Sequence, residues 1–309
     1  MRIVFMGTPH FAVPSLTALV GTHHDVVAVF TQPDKPVGRK QELAPPAIKV
    51  VAQRHELQVF QPETFRAKAC APLLEKLAPD AIVVVAYGKI LPRHVLVLPQ
   101  FGCINVHASL LPRYRGAAPI QWAVLEGEEV TGVTTMYMDA GIDTGDVILQ
   151  REAFIGEHET SESLHERLGI LGAELLVQTL ALVEKGEAPR TAQDDTLATY
   201  APMLDKSMTT LDFSKPARTQ MKMVCAAYPW PVASTRIRGK VLKVYEAKVG
   251  FGTSSPAGTA VQHAEGISVA CGDGLELILT EVQLEGSLRM PGGQFLRGRP
   301  IREPIMLGI

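Results

Sequence analysis

Cysteine is scarce in this chain: four residues among 309, at positions 70, 103, 225 and 271, with no C-x-x-C pair. No cluster of histidines accompanies them, so the sequence predicts neither a structural zinc site nor a disulfide scaffold. An apolar run of about 18 residues, the length that a membrane-spanning helix needs, is also missing. Because "RIVFMGTP" near the start reads as a strand and a turn, no secretory signal is predicted. These absences favour a protein of the reducing cytoplasm without a membrane partner.

Three glycine signatures are absent as well. The apolar stretch "RIVFM" ends at Gly7, where a dinucleotide-binding loop would begin, but Thr8 and Pro9 follow in place of G-x-G-x-x-G. A nicotinamide or flavin enzyme is therefore not expected. The patterns G-x-x-x-x-G-K-[ST] and G-x-S-x-G are missing too. Their absence argues against a P-loop NTPase and against a covalent acyl-enzyme built on an elbow serine.

The first part of the chain alternates apolar strands with helical segments. "VVAVF" (26–30) and "AIVVVAYG" (81–88) are continuously apolar, which is typical of strands buried on both faces of a parallel sheet. A long helical pattern over 161–186 ends at a glycine. The predicted fold class is α/β, with a doubly wound, mostly parallel, Rossmann-like sheet over residues 1–188.

The pattern changes after residue 188. Residues 189–205 show no periodicity and are predicted to be a linker. Residues 206–309 contain a helical segment at about 215–227 and then short alternating strands broken by glycine, which predicts a small antiparallel β-barrel of about five strands, similar to the oligonucleotide-binding type. Lys and Arg number 17 against 24 Asp and Glu in residues 1–205, but 13 against 8 in residues 206–309. The basic second part suggests a polyanion partner, although differences of this size also arise from solvation alone.

The stretch "INVHASLLPRYRGAAP" (104–119) carries the first candidate site. Asn105 and His107 are two residues apart on a strand, so their side chains share one face near its carboxyl end, where open α/β sheets bind ligands. An amide beside an imidazole suits an oxyanion that develops on a carbonyl, and a carboxylate would orient the imidazole. Alternatively, His107 has a purely structural role and is hydrogen-bonded to a backbone carbonyl. The segment "MDAGIDTGDVI" (138–148) offers three carboxylates, among which spacing alone does not choose: Asp139, Asp143 and Asp146.

The segments "GCINVHASLLPRYRGAAPIQWAVLEGE" and "GVTTMYMDAGIDTGDVI" resemble the Asn/His/Asp signature of the tetrahydrofolate-dependent formyltransferases. "FMGTPHFAVPSL", "VFTQPDKPVGR" and "YPWP" are similar to the members of that family that act on tRNA. The resemblance implies transfer of the formyl group of 10-formyltetrahydrofolate, as co-substrate, to the α-amine of initiator methionyl-tRNA by direct amine attack. It implies a role in translation initiation, a monomer, and no metal, since one histidine with these carboxylates makes a poor metal site.

The resemblance also assigns residues to roles. Asn105 and protonated His107 would polarise the formyl oxygen, and Asp143 would orient His107 and assist proton movement. One folate contact falls on the loop Ser109, Leu110, Leu111 and Pro112. A second contact, made through backbone atoms, falls on Lys89, Ile90 and Leu91.

The predicted tRNA contacts lie in two places. The loop over 31–46 is long for a strand-to-helix connection, which usually has about 2–6 residues. The resemblance places this loop at the acceptor end of tRNA, with Arg39 as the matching arginine and Lys40 beside it. In the basic second part the candidates are Arg236, Arg238 and Lys240, followed by Lys243, Arg297, Arg299 and Arg302.

Three other functions stay open from the sequence. A formyltransferase of the same family could act on an amino-sugar nucleotide, and a hydrolase could release formate from 10-formyltetrahydrofolate. A binding module for tRNA or folate without activity is the third. The long loop and the basic second part favour tRNA as the acceptor.

Overall fold

The computed structural model describes residues 1–38, 41–65 and 70–308. Contacts divide the chain into two units. The first unit consists of Met1–Gly116, Val130–Phe154 and His165–Tyr200, and the second of Ala117–Glu129, Ile155–Leu164 and Ala201–Ile309. The chain passes between the units more than once, and the predicted boundaries at 188 and 206 stay a prediction.

The strands and helices of the first 185 residues occupy the following ranges: β1 (Arg2–Gly7), α1 (Val13–Val20), β2 (Asp25–Phe30), β3 (Lys35–Val37), β4 (Glu42–Ala44), α2 (Ala47–Arg54), β5 (Val59–Phe60), α3 (Ala71–Leu77), β6 (Ala81–Val85), α4 (Arg93–Leu96), β7 (Cys103–His107), α5 (Pro119–Leu125), β8 (Val130–Tyr137), β9 (Val147–Phe154) and α6 (Ser161–Lys185). Seven of the strands form one sheet in the order β5-β2-β1-β6-β7-β8-β9. Strands β5, β2, β1, β6 and β7 are parallel. Every residue of β6 and β7 is buried, as expected for strands in the middle of a covered sheet. The predicted α/β class with a mostly parallel sheet is confirmed.

The sheet departs from simple alternation at one end. Strand β8 runs antiparallel to β7, and β9 runs antiparallel to β8. The sequence reading did not find β9, whose residues alternate between partly buried or buried and exposed, the pattern of an edge strand wetted on one side. Because β8 is reversed, its carboxyl end lies level with the start of β7, where Tyr137 pairs with Ile104.

After residue 200 the elements are α7 (Ala217–Ala226), β10 (Ala233–Ile237), β11 (Lys240–Gly252), β12 (Thr259–Gln262), β13 (Ile267–Ala270), β14 (Leu275–Leu284), β15 (Met290–Pro291), α8 (Gly292–Gly298) and β16 (Ile305–Met306). The second unit contains a curled antiparallel sheet of these strands in the order β10-β11-β14-β13-β12-β16, and β15 pairs with β14.

Helix α7 packs on this sheet, and Met221 joins Val244, Leu277 and Leu279 in its core. After β16, the N–H of Gly308 donates to the carbonyl of Arg236 in β10 at 3.0 Å, which brings the two edges together. The predicted small barrel of about five strands is confirmed as a curled half-barrel with five longer strands; β15 and β16 have two residues each, too few to show alternation.

The four cysteines are buried and unpaired. Burial raises the pKa of the Cys103 thiol to about 12, and burial followed by the charge of Asp273 raises that of Cys271 to about 11. Within the described ranges, no helix combines the length and the apolar character needed to cross a membrane.

Candidate active site

The last residues of β7 form the floor of the candidate site. Asn105 and His107 lie two positions apart on this strand, so both side chains project from the same face of the sheet. The two residues are 9% and 6% exposed, so each polar group needs a partner inside the protein. The partner of the His107 Nε2 atom is the carbonyl oxygen of Tyr114, at 2.9 Å, and this contact fixes the plane of the ring.

Asp143 lies close to these two side chains, but it belongs to a loop and not to the end of a parallel strand. The loop 138–146 begins where the N–H of Met138 donates to the carbonyl of Cys103 at 2.8 Å, at the start of β7. It then returns along the face of β7 and brings Asp143 to its end. Asp143 has a φ of 55°, in the left-handed region that aspartate adopts more readily than most residues.

The side chains of Asn105, His107 and Asp143 lie close together. One carboxylate oxygen of Asp143, Oδ2, lies 3.6 Å from Nδ1 of His107, and the other, Oδ1, lies 3.5 Å from Nδ2 of Asn105. Both separations exceed an ordinary N–H···O bond of about 2.9 Å. Oδ2 also accepts a bond from the backbone N–H of Gly116 at 2.8 Å, which anchors the carboxylate. The amide and imidazole donors are therefore held close together while their bonds to Asp143 stay loose, an arrangement that leaves them able to turn to a substrate oxygen.

The structure distinguishes the three candidate aspartates by their contacts. Asp139 accepts bonds from the N–H of Gly141 and the hydroxyl of Thr144, so its carboxylate organises the loop itself. Asp146 faces Arg190 at 3.7 Å at the surface. Of the three, Asp143 is the one that the structure brings to Asn105 and His107.

The loop Ser109–Pro112 is fixed by hydrogen bonds on both sides. The hydroxyl of Thr134 donates to the carbonyl of Ser109 at 2.6 Å and accepts from the N–H of Leu111 at 3.2 Å. Gln150 donates to the carbonyl of Leu111 at 2.8 Å. Leu110 packs against Gly132 of β8, where a Cβ would lie 2.6 Å from its Cδ2 atom. These contacts pre-set the loop beside His107; its contact with folate stays a prediction.

The second predicted folate segment also has a fixed backbone. The carbonyl of Tyr87 accepts bonds from the hydroxyl of Thr8 at 2.9 Å and from the amide of Gln32 at 3.2 Å. Lys89 turns inward and donates to the carbonyls of Pro62 and Glu63, and burial lowers the pKa of its ammonium group. Beyond it Ile90 is 86% exposed, whereas Leu91 is buried. The segment therefore presents one apolar side chain outward on a rigid backbone.

The predicted tRNA contacts are only partly within the described residues. The long loop contains a hairpin of β3 and β4, while Arg39 and Lys40 lie outside the described residues. Arg236, Arg238 and Lys240 are exposed on the hairpin of β10 and β11, where Arg238 takes a φ of 50° at the turn. The further basic candidates are exposed as well: Lys243, Arg297, Arg299 and Arg302.

Sequence reasoning missed the groups that support His107 and Asp143. The Tyr114 carbonyl and the Gly116 N–H are backbone groups, which leave no side-chain signal. Gln193 donates to the carbonyls of Asp143 and Gly145 at 2.9 and 2.8 Å, although it lies in the stretch predicted to be a linker. Nothing in the aperiodic sequence around Gln193 points to this role.

Among the described residues, one group of three side chains brings potential metal ligands together, away from the three catalytic candidates: His23, His24 and Glu184. His23 Nε2 lies 2.9 Å from the Glu184 carboxylate, a hydrogen-bond distance that accounts for the grouping without a metal. The predicted absence of a metal from the active site stays a prediction.

Comparison with known proteins gives the chain its family. Residues 1–180 match the family model for formyl transferase, and residues 203–300 match that for its C-terminal domain. The methionyl-tRNA formyltransferase of Geotalea uraniireducens is 47% identical over 308 residues, which cover 100% of this chain and 98% of that protein. That of Pelotomaculum thermopropionicum is 49% identical over 311 residues, with coverage of 100% and 99%.

A solved structure shares the fold. The N-formyltransferase from Helicobacter canadensis, in complex with folinic acid and dTDP-3-aminofucose, matches with a TM-score of 0.69. The match covers 90% of this chain and 98% of that one, and at 18% identity it speaks for the fold alone. The two family models and the relatives matched over their full length show that the chain belongs to the formyl transferase family, among the methionyl-tRNA formyltransferases.

Proposed function

We propose that this protein transfers the formyl group of 10-formyltetrahydrofolate to the α-amine of initiator methionyl-tRNA. The observation that carries the proposal is the meeting of the Asn105 amide, the His107 imidazole and the Asp143 carboxylate at the end of β7. Full-length relatives named methionyl-tRNA formyltransferase support the acceptor. A structural neighbour determined with folinic acid supports a folate co-substrate.

The first chemical step is attack of the neutral amine on the formyl carbon. A nitrogen–carbon bond forms, and the electrons of the carbonyl move to its oxygen. Asn105 donates a hydrogen bond to this oxyanion from Nδ2. His107 donates one from Nδ1, the ring nitrogen that lies 3.6 Å from Asp143 while Nε2 contacts the Tyr114 carbonyl. Donors held in place for a developing charge are worth roughly 100- to 1,000-fold in rate each.

The second step breaks the bond between the formyl carbon and N10 of the folate. The attacking amine loses one proton and N10 gains one, so no net proton is consumed. Asp143 accepts the proton of the amine, directly or through one water molecule, and the same proton is delivered to N10. The N–H of Gly116 keeps the Asp143 carboxylate in position while this carboxylate gains and then loses the proton.

The tRNA is held outside this chemistry by basic groups. Arg236, Arg238 and Lys240 contact the phosphates in this proposal, which their exposure on the hairpin of β10 and β11 supports. Such contacts provide affinity without sequence information. Arg39 and Lys40 in the long loop serve the acceptor end, which carries the methionine.

The test uses the purified protein, 10-formyltetrahydrofolate labelled in the formyl group, and initiator tRNA charged with methionine. Labelled N-formylmethionyl-tRNA is the expected product, and uncharged tRNA and an amino-sugar nucleotide serve as comparison acceptors. Label found only in free formate would replace the proposal with a hydrolase. Label on the amino sugar but not on methionyl-tRNA would replace it with a sugar formyltransferase.

A further inference from the structure

A buried arginine lies directly behind the proposed catalytic group. The side chain of Arg115 is 2% exposed, so its permanent positive charge must find acceptors inside the protein. Its Nε and Nη2 atoms both donate to Oε1 of Gln193, at 3.1 and 2.8 Å. Nη2 also donates to the carboxylate of Asp195 at 2.8 Å. The guanidinium therefore fixes the Gln193 amide with its oxygen toward the arginine.

This orientation determines what the other end of the Gln193 amide can do. Its nitrogen donates to the carbonyls of Asp143 and Gly145, at 2.9 and 2.8 Å. The carbonyl of Asp143 belongs to the residue whose carboxylate faces His107. A single amide thus joins the buried arginine to the backbone of the loop that carries the proposed proton acceptor.

The same arginine reaches Asp143 by a second route. The backbone N–H of Arg115 donates to the carbonyl of Thr199 at 2.8 Å, and Arg115 also forms an isolated bridge with Tyr200. This pairing sets the position of Gly116, whose N–H donates to Oδ2 of Asp143 at 2.8 Å. Gly116 therefore holds the side chain of Asp143, and Gln193 holds its main chain. Both supports depend on Arg115 and on its contacts with the stretch 193–200.

The conformation of Asp143 requires such support. Its φ of 55° lies in the left-handed region, which is less stable for an L-residue than the right-handed region, even though aspartate enters it more readily than most. A conformation of this kind persists where the surroundings over-determine it. The two Gln193 bonds act on the loop at the carbonyl of Asp143 and at the carbonyl two residues later, directly after the unusual backbone torsion.

We propose that Gln193, oriented by Arg115, is a positioning residue for formyl transfer, which holds the Asp143 loop so that the carboxylate stays poised against His107. The inference rests on the proposed function. A displacement of about 1 Å at a reacting group can cost roughly 100-fold in rate. Loss of this support should therefore lower kcat and leave the KM values for folate and tRNA nearly unchanged.

The sharpest probe is Gln193→Glu, which preserves the size of the side chain and its acceptor toward Arg115. A carboxylate has no N–H, so the carbonyls of Asp143 and Gly145 lose their donor and face a negative charge instead. The matched control is Gln53→Glu, which makes the same chemical change on the exposed side of helix α2. Formyl transfer to methionyl-tRNA is measured for both, with Asp143→Asn and the double variant Gln193→Glu/Asp143→Asn.

We expect Gln193→Glu to lose roughly 10- to 100-fold in kcat, while Gln53→Glu stays near wild type. A residue that acts through Asp143 has little left to lose once Asp143 is changed, so the double variant should be almost as active as Asp143→Asn alone. The positioning role would be overturned if the kcat losses of the two single variants multiplied in the double variant, or if Gln193→Glu kept the wild-type kcat. If Gln193→Glu does not fold, Gln193→Met, which also lacks the donors, takes its place in the same cycle. Failure of the wild-type protein to form N-formylmethionyl-tRNA would instead refute the proposed function.

Discussion

Asp143 shows how strongly the surroundings of one residue decide its chemistry. Three aspartates lie within eight positions, yet each has different partners: a turn for Asp139, a surface arginine for Asp146, and His107 with Gly116 for Asp143. The residue type is the same in all three cases. The path of the loop over β7 brings one of them to the proposed catalytic side chains.

Replacing each of Asn105, His107 and Asp143 by alanine is expected to lower kcat for formyl transfer by roughly 100-fold or more, because each change removes a donor or the proton acceptor. Asp146→Asn is the matched control, since its exposed pair with Arg190 at 3.7 Å contributes little. The measurement is steady-state kinetics, with circular dichroism to show that each variant is folded. Near-normal turnover by His107→Ala would mean that the site has been assigned wrongly.

The buried thiols give a second expectation at the scale of single residues. Burial raises the pKa of Cys103 to about 12, so at pH 8.5 only about one thiol in several thousand is ionised, against roughly half of ordinary cysteines. Since the thiolate is the nucleophile, native Cys103 should resist iodoacetamide at this pH, as should Cys271 with its pKa of about 11. Peptide mapping after alkylation measures this resistance, and guanidinium-unfolded protein is the control in which all four cysteines react. Rapid alkylation of native Cys103 would contradict the prediction.

Among the elements, β7 could be interpreted from its sequence and the Asp143 loop could not. Alternation on a short strand places Asn105 and His107 on one face whatever the rest of the chain does. The reversed direction of β8 and the support from Gln193 depend on contacts between residues far apart in sequence, 50 positions in the case of Gln193 and Asp143. Periodicity reports local geometry alone, so it yielded most of the strands and helices but neither β9 nor a choice among the three aspartates.

In strand β8, Gly132 has no side chain, and this leaves the space that Leu110 of the loop Ser109–Pro112 occupies. In Gly132→Ala, the new Cβ would lie 2.2 Å from the carbonyl oxygen of Arg151 and 2.6 Å from Leu110. The backbone of β9 cannot yield easily, so we expect the free energy of unfolding to fall by about 1–3 kcal/mol. Displacement of Leu110 should also raise KM for 10-formyltetrahydrofolate.

Chemical denaturation and folate titrations of the kinetics measure these two effects. Gly21→Ala is the control, because its Cβ would meet nothing closer than 3.4 Å and its φ is negative. Unchanged stability and KM in Gly132→Ala would show that the loop does not depend on this contact.

For the whole molecule, the uneven charge distribution bears on how tRNA is held. Net charge is −2, yet residues 206–309 carry 13 basic against 8 acidic side chains. The exposed cations of the β10–β11 hairpin lie on one turn and on the strand ends beside it, which suits contacts with a phosphate backbone. Contacts of this kind release counterions and weaken with salt.

Replacing Arg236, Arg238 and Lys240 by alanine together is expected to weaken tRNA binding and to flatten its salt dependence. Each lost phosphate contact lowers the slope of log K against log salt by roughly 0.7–0.9, so the slope should fall by about 2–3. The control removes three exposed cations elsewhere, at Arg54, Lys76 and Lys185, with the same change in net charge. Binding isotherms at several salt concentrations measure both variants. Equal slopes in the two triple variants would place the tRNA contacts somewhere other than this hairpin.

The composition of the two units also determines how the protein can be divided. The segments 117–129 and 155–164 belong to the second unit, although they are inserted in the sequence of the first. Trp122 within the earlier insertion donates to the carbonyl of Pro202 at 2.8 Å, and Ser161 within the later one donates to the carbonyl of Ala226 at 3.0 Å. A chain that ends at residue 200 would keep both insertions but lack both acceptors, the carbonyls of Pro202 and Ala226. The Trp122 indole N–H and the Ser161 hydroxyl would then lose these partners, so a shortened chain that is to keep them has to extend past residue 226.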